Sequence, residues 1–204
     1  MRFFVFSLIL AMCALTLQSS AFAQEEKKAK PEKTPVTEWI EAENKLIDTL
    51  PYQGKQSFYV LRNKYSTIRG VRIVDRDVGK AVKACGKENP DMKKTMTERF
   101  KQWEGAVLPI LDMADKFLKE EVDAQKIVYA SDFWHVMKLN DKAFKYSEEQ
   151  IEKQVVTTKE ACEGLLDSMD RTEDKMVELL QDMLLPESVI RERAQRAKEA
   201  EDAE

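Results

Sequence analysis

Apolar residues recur at steps of three and four along most of the chain, which is the spacing of one face of an α-helix. This pattern defines four segments, at residues 36–50, 58–85, 91–118 and 151–183. The chain has only 6 Gly and 6 Pro, and 34% of its residues are charged, a composition typical of helices joined by short turns. We therefore predict an all-α fold, an antiparallel bundle of three to four long helices that spans residues 36–186.

Glycine and proline lie inside two of these segments. Gly70 and Gly79 are in the second, where each costs about 1 kcal/mol relative to alanine. We expect a neighbouring helix to approach closely at both. Pro109 is in the third, where its ring would clash with the carbonyl of Gly105. Because a glycine there lets the backbone bend, we predict that the third helix is kinked at Pro109 and not broken.

The fourth segment has the most regular pattern, with apolar residues and threonines at alternating steps of four and three. These residues are Ile151, Val155, Thr158, Cys162, Leu165, Met169, Thr172, Met176, Leu179 and Met183. A heptad seam of this kind packs left-handed bundles and coiled coils. We predict one helix that starts between residues 131 and 141 and ends before Pro186, with its methionines in the core and not in a cofactor site.

Two cysteines, Cys85 and Cys162, lie on the apolar faces of the second and fourth segments. At a rise of about 1.5 Å per residue, the second and third helices and a returning fourth helix bring both cysteines to a similar height. We therefore predict a disulfide between them. Closing a loop of about 77 residues should stabilise the fold by roughly 4 kcal/mol in the chain-entropy account. The alternative is a pair of buried, unpaired thiols.

The same arithmetic places residues 164–184 beyond the end of the second helix, with an apolar stripe that has no partner within the chain. The stripe consists of Leu165, Met169, Met176, Leu179 and Met183. An uncovered stripe of this length is unusual for a monomer. Either the helix breaks near Gly164 or Ser168 and folds back, or another chain covers the stripe. Our main hypothesis is a contact there with a protein partner or with further copies of the chain.

The first 23 residues have the pattern of a secretory signal peptide. Arg2 supplies a positive start, residues 3–17 are almost wholly apolar, and Ala21-Phe22-Ala23 is a small-x-small cleavage site. The apolar run is too short for a spanning helix, and no second run follows. We therefore expect a periplasmic or secreted protein with no integral membrane segment after cleavage. Residues 24–35 then form a flexible linker, and residues 187–204 form a charged tail.

Cys13 allows an alternative interpretation of this leader. Leu10-Ala11-Met12-Cys13 resembles a lipoprotein cleavage box, which would attach a lipid to the cysteine. Met12 fits poorly where a small residue is needed, and the apolar run continues to Leu17. Ordinary cleavage is the better interpretation, and it leaves two cysteines in a compartment where disulfides persist.

The balance of charge argues against two classes of partner. The chain carries 33 Lys and Arg against 37 Asp and Glu, a net charge of −4, or −5 without Arg2. It has no basic block, so nucleic-acid binding and adhesion to anionic lipid are both disfavoured. A local exception is the group of Arg69, Arg72 and Arg76 on the second segment. These arginines either form ion pairs across the bundle or receive an acidic partner.

Motifs of catalysis and metal binding are absent from the sequence. It has no CxxC, no HExxH and no glycine-rich phosphate loop, and His135 is its one histidine. No serine lies in the GxSxG turn that a histidine base would serve. We therefore expect no enzyme activity, no metal and no cofactor.

The aromatic stretch around His135 supports an alternative function. Trp134, His135 and Met137 could line a pocket for a small ligand or cofactor, with His135 and one methionine as axial ligands. A histidine that merely lines a loop is the simpler interpretation. Our leading hypothesis is an exported, non-catalytic helical bundle that acts through protein–protein contacts, as an adaptor, a scaffold or a chaperone-like protein.

Overall fold

The computed structural model of the chain describes residues 33–153 and 155–185, and these residues form five α-helices. The helices are α1 (Pro35–Thr49), α2 (Tyr52–Glu88), α3 (Lys93–Ala124), α4 (Ala130–Glu149) and α5 (Lys159–Asp182). The predicted all-α fold is confirmed. None of the described helices is long and apolar enough to cross a membrane. The predicted signal peptide, Cys13, most of the predicted linker and the charged tail lie outside the described residues.

The start of α1 is fixed by its own sequence. Thr34 precedes the helix in an extended conformation, and its hydroxyl accepts a hydrogen bond from the backbone N–H of Thr37 at 3.2 Å. The Thr37 hydroxyl accepts one from the backbone N–H of Thr34 at 2.9 Å, which completes a capping box. Pro35 stands in the first turn, where its missing N–H costs nothing. Pro51 then separates α1 from α2.

The two longest helices, α2 and α3, pack against each other. Lys64 pairs with Glu121 at 2.7 Å, and Arg72 pairs with Asp115 at 3.2 Å. These pairs place the first half and the middle of α2 beside the second half of α3. Their largest fully buried side chains are Phe58, Ile68, Met96, Trp103, Val107, Leu111, Leu118 and Val122.

Helices α1 and α4 are shorter. They pack on each other and on α2 and α3. Phe133 of α4 is fully buried, and its ring meets Phe58 edge to face with the ring centroids 6.1 Å apart. Arg62 of α2 lies over the ring of Trp39 in α1, with its guanidinium carbon 5.6 Å from the ring centroid. Aromatic contacts therefore hold α1 and α4 to the N-terminal half of α2.

The prediction of one helix that starts between residues 131 and 141 and ends before Pro186 is wrong, because two helices, α4 and α5, cover this stretch. Helix α4 ends at Glu149 and α5 begins at Lys159, and the described residues between them are not helical. We call residues 150–158 the connection; residue 154 is not described. Val155, Val156 and Thr157 are β-branched and lose side-chain freedom in a helix. Thr158 then caps α5 by accepting a hydrogen bond from the N–H of Ala161 at 3.3 Å.

The glycines and Pro109 have different surroundings. Pro109 lies on the exposed side of α3, which runs through it without interruption, so a bend there stays a prediction. A Cβ atom at Gly79 would lie 3.1 Å from the ring of Phe100, so the expected close approach is present. No atom of a neighbouring helix lies within 4 Å of a Cβ atom placed at Gly70, so the close approach expected there is absent and that prediction is wrong. Helix α5 continues unbroken through Gly164.

The predicted disulfide between Cys85 and Cys162 is present. The two Cα atoms are 5.8 Å apart, and both side chains are buried. The bridge joins the last turns of α2 to the first turn of α5. It therefore fixes the start of α5 beside the end of α2.

Candidate partner-binding surface

The predicted partner stripe on α5 is largely covered within the chain. Met169 and Met183 are buried, and Leu165 and Met176 are partly buried against the core. Only Leu179 is half-exposed. The expectation that this stretch has no partner in its own chain is wrong, because α5 packs along α3.

Ion pairs reinforce the contact between α5 and α3. The guanidinium of Arg99 in α3 pairs with Asp170 and, at 2.7 Å, with Glu173. Both carboxylates belong to α5, so this side of α5 faces α3. Within the described residues, no group of three or more His, Cys, Asp or Glu side chains is placed to hold a metal ion.

The residues of the predicted ligand pocket do not face a common space. His135 is exposed and lines a shallow groove of about 380 Å³ between α1 and α4. Met137 is buried in the core, and Trp134 is partly buried with its ring 6.2 Å from that of Tyr65. Residues two positions apart on a helix project to nearly opposite sides. His135 and Met137 are therefore not arranged to ligate one metal ion.

A larger recess lies between α2 and α4, with a volume of about 620 Å³. We call it the basic groove. From α2 it takes Arg69, Arg76 and Lys80, and from α4 it takes Lys138, Lys142 and Lys145. The cation of Lys153 in the connection and three carboxylates complete the charged lining. Ile73 and the partly exposed Phe144 supply its apolar surface.

The carboxylates of the basic groove are already engaged. Arg69 donates to Asp141 at 2.9 Å, and Arg76 donates to Glu148 at 2.6 Å. Lys153 also donates to Glu148, at 2.7 Å. All three of the predicted arginines therefore form ion pairs across the bundle. Arg72 does so with Asp115 of α3 and is not part of the groove lining.

These ion pairs shift the pKa values of the groups involved. Hydrogen bonds from Arg76 and then Lys153 lower the pKa of Glu148 to about 2. A hydrogen bond from Arg76 is also the main cause that lowers the pKa of Asp77 to about 2, against the opposing effect of burial. Burial, followed by the hydrogen bond to Asp141, raises the pKa of the Tyr65 hydroxyl. Glu148 and Asp77 therefore stay ionised over the whole physiological range.

Two lysines of the basic groove keep free charge. Lys138 and Lys142 are exposed, and neither forms an ion pair among the residues that the structure describes. They lie one turn apart on α4, so their ammonium groups face the same part of the groove. Sequence analysis missed this site, although the spacing of Lys138, Lys142 and Lys145 is that of one helix face.

An apolar recess adjoins the basic groove beside the disulfide. It has a volume of about 700 Å³, and its apolar lining comes from Ala81, Val155, Val156, Ala161 and Leu165. Lys80 and Lys153 line both spaces, so the recess lies next to the groove.

The connection presents three large apolar side chains to solvent. Ile151 is 62% exposed, Val155 is 50% exposed and Val156 is 63% exposed. We call these three residues the apolar patch. Sequence analysis placed Ile151 and Val155 on a buried helix seam, so their exposure is a correction.

Polar contacts hold the connection in place. The side-chain amide of Asn89 donates to the carbonyl of Thr157 at 2.9 Å. Lys153 pairs with Asp77 at 2.9 Å, and Lys159 pairs with Asp91 at 3.2 Å. The apolar patch is therefore carried on a segment tied to α2 and to the turn between α2 and α3.

Comparison of the chain with protein-family models, with curated proteins and with solved structures finds no match.

Proposed function

We propose that this is an exported, non-catalytic helical-bundle protein that acts through protein–protein contacts, as an adaptor, a scaffold or a chaperone-like protein. The observation that carries the proposal is the apolar patch, in which Ile151, Val155 and Val156 are each at least half-exposed. Burial of apolar surface is the dominant favourable contribution to most protein–protein association. The contact site is therefore the apolar patch together with the apolar recess, which Val155 and Val156 of the patch also line.

The fixed position of the connection supports this assignment. A segment that is already held by the Asn89 hydrogen bond and by the two ion pairs of Lys153 loses little freedom when it binds. The buried disulfide holds the start of α5 against the end of α2 on the other side of the recess. A partner that meets this surface consequently spends less of its binding energy on ordering the surface.

Export to the periplasm or secretion is part of the proposal. A disulfide in the structure and the lack of a membrane-spanning helix among the described residues are compatible with an extracytoplasmic protein. The signal-peptide pattern of residues 1–23 supports the same location.

Native mass spectrometry of the protein purified from its own host without reductant tests the contact. We expect a partner or a second copy to be retained by the native chain and lost from a Val155→Asp/Val156→Asp variant. Met113→Asp is the matched control, because Met113 is also an exposed apolar residue but lies on α3. A bare monomer for the native chain, or equal loss in both variants, would contradict the proposal.

A small-ligand or cofactor site near Trp134 and His135 is the second candidate. It is favoured by the groove in which His135 and Asp132 face Leu46 of α1. An ultraviolet–visible spectrum of the native protein and of His135→Ala separates the two functions. An absorption band that disappears in the variant would favour the ligand site over the apolar patch.

A further inference from the structure

We propose that the basic groove binds an extended acidic segment of the protein partner, and that an apolar side chain of the same segment enters the apolar recess. This inference rests on the proposed function, since it specifies the chemistry of the partner. The sequence alone leaves open whether the arginines of α2 bind an acidic partner. The structure adds the lysines of α4 to the same space.

Charge complementarity is the first argument. The basic groove contains seven cationic side chains and three carboxylates, whereas the whole chain has a net charge of −4. The positive charge is thus concentrated in one concave place on an otherwise acidic protein. Because Asp141 and Glu148 already accept from arginines, the excess cations attract additional carboxylates.

The spacing of the free cations is the second argument. Lys138 and Lys142 lie on adjacent turns of α4, roughly 6 Å apart at their Cβ atoms. In an extended peptide, side chains two positions apart lie on the same side, at roughly 6.6 Å. Carboxylates at every second position of such a segment therefore meet these two lysines in turn.

The adjacency of groove and recess is the third argument. Phe144 is partly exposed in the basic groove, and the recess beyond Lys80 and Lys153 is lined by apolar side chains. An anionic segment with an apolar residue at one end matches both. A lipid surface is flat and cannot enter a space between two helices, and the net negative charge of the chain repels an anionic membrane.

Fluorescence anisotropy with a labelled synthetic peptide tests the inference. The probe carries glutamate at every second position and two leucines at one end, and a second probe has glutamine in place of each glutamate. We expect the glutamate peptide to bind the native chain, to weaken as salt is raised, and to bind at least about tenfold more tightly than the glutamine peptide.

The variant Lys138→Glu/Lys142→Glu should weaken binding of the glutamate peptide by about tenfold. Lys126→Glu/Lys175→Glu is the matched control, because both lysines are exposed and lie outside the groove. It should change the affinity by less than about twofold. Lys138→Gln/Lys142→Gln removes the charge without reversing it, and it should give a smaller loss of affinity in the same direction. This variant provides the test if the charge reversal disturbs folding.

Three results would overturn the inference. They are equal affinity for the two peptides, equal loss in the groove and control variants, and binding of phosphatidylglycerol vesicles through Lys138 and Lys142 without binding of the peptide. If the partner is still lost from Val155→Asp/Val156→Asp, the proposed function stands and only the acidic chemistry is wrong. If the partner is absent altogether, the proposed function fails as well.

Discussion

Glu148 is the residue at which charge and structure are most closely linked. It accepts hydrogen bonds from Arg76 of α2 and from Lys153 of the connection, so it joins α4 to both. The two donors lower its pKa to about 2 from an ordinary value of 4.5. The ionised form of Glu148 is consequently favoured in the folded state over the unfolded state.

Replacement of Glu148 should therefore change how stability depends on pH. Because the folded pKa lies below the unfolded one, the stability that Glu148 contributes is fully present above about pH 4.5 and is lost as the pH falls toward 2. We expect the native chain to be more stable than Glu148→Gln at pH 7 and equal to it near pH 2. Urea unfolding at a series of pH values measures this difference. A difference that stays constant with pH would contradict the assignment.

Glu149 provides the control for that experiment. It is exposed, and its nearest cation, Lys145, is 4.0 Å away. A weak surface pair of this kind contributes little, so Glu149→Gln should leave the pH profile unchanged.

At the scale of single residues, the sequence predicted the cysteines better than the charges. Cys85 and Cys162 could be paired because both lie on apolar helix faces at similar heights, and burial and distance in the structure agree. Lys138 and Lys142 could not be assigned to a site, because their importance depends on which helix lies beside α4. Exposed lysines on an isolated helix look like ordinary solvated residues.

At the scale of elements, the connection separates what the sequence predicted from what it did not. The seam from Cys162 to Leu179 is helical as expected, but the same spacing continues back to Ile151, which is not in a helix. The periodicity alone cannot show at which residue α5 begins. Four consecutive β-branched residues, from Val155 to Thr158, are poor helix formers, and a threonine at the cap position is a start signal. Giving these features more weight would have placed the start of α5 correctly.

Arg99 is expected to contribute most of the polar stabilisation between α3 and α5. Its side chain is only 16% exposed and pairs with Asp170 and Glu173 of α5. We expect Arg99→Ala to lower the free energy of unfolding by about 1 kcal/mol, because two partly desolvated ion pairs are lost at once. Amide hydrogen exchange should accelerate more in α5 than in α4.

Lys94→Ala is the control for Arg99. Lys94 lies on the same helix, is highly exposed, and stands 4.0 Å from Glu98. Its replacement should change the free energy of unfolding by less than about 0.5 kcal/mol. Equal effects of the two substitutions would show that the contact between α3 and α5 does not depend on Arg99.

At the scale of the whole molecule, the periodic pattern was sufficient for the fold class but not for the packing of the helices. The all-α fold follows from apolar residues at steps of three and four. The packing of α1 on α4 and of α5 on α3 does not, because several neighbours are compatible with each amphipathic face. The predicted uncovered stripe resulted from this uncertainty: a helix assumed to continue past α2 instead lies along α3.

The disulfide should set the stability of the molecule as a whole. It joins residues 77 positions apart, and a closed loop of that length stabilises a fold by roughly 4 kcal/mol in the chain-entropy account. We expect Cys85→Ser/Cys162→Ser to lower the free energy of unfolding by roughly this amount in urea. The native chain should also weigh two mass units less before reduction than after it. A loss below about 1 kcal/mol would show that the unfolded chain is not appreciably constrained by the bridge.

Site-specific photo-crosslinking in the host cell tests the central claim, that the apolar patch is a protein-contact surface, most directly. A photoreactive residue at Val156 should give one or a few discrete adducts of higher mass, because this side chain is 63% exposed on a connection held by defined contacts. The same photoreactive residue in place of Met113, on α3, should give none of these adducts. Adducts at position 156 that weaken when Lys138 and Lys142 are reversed in charge would support both the contact surface and its acidic partner. Identical adduct patterns at the two positions, or none at position 156, would contradict the account.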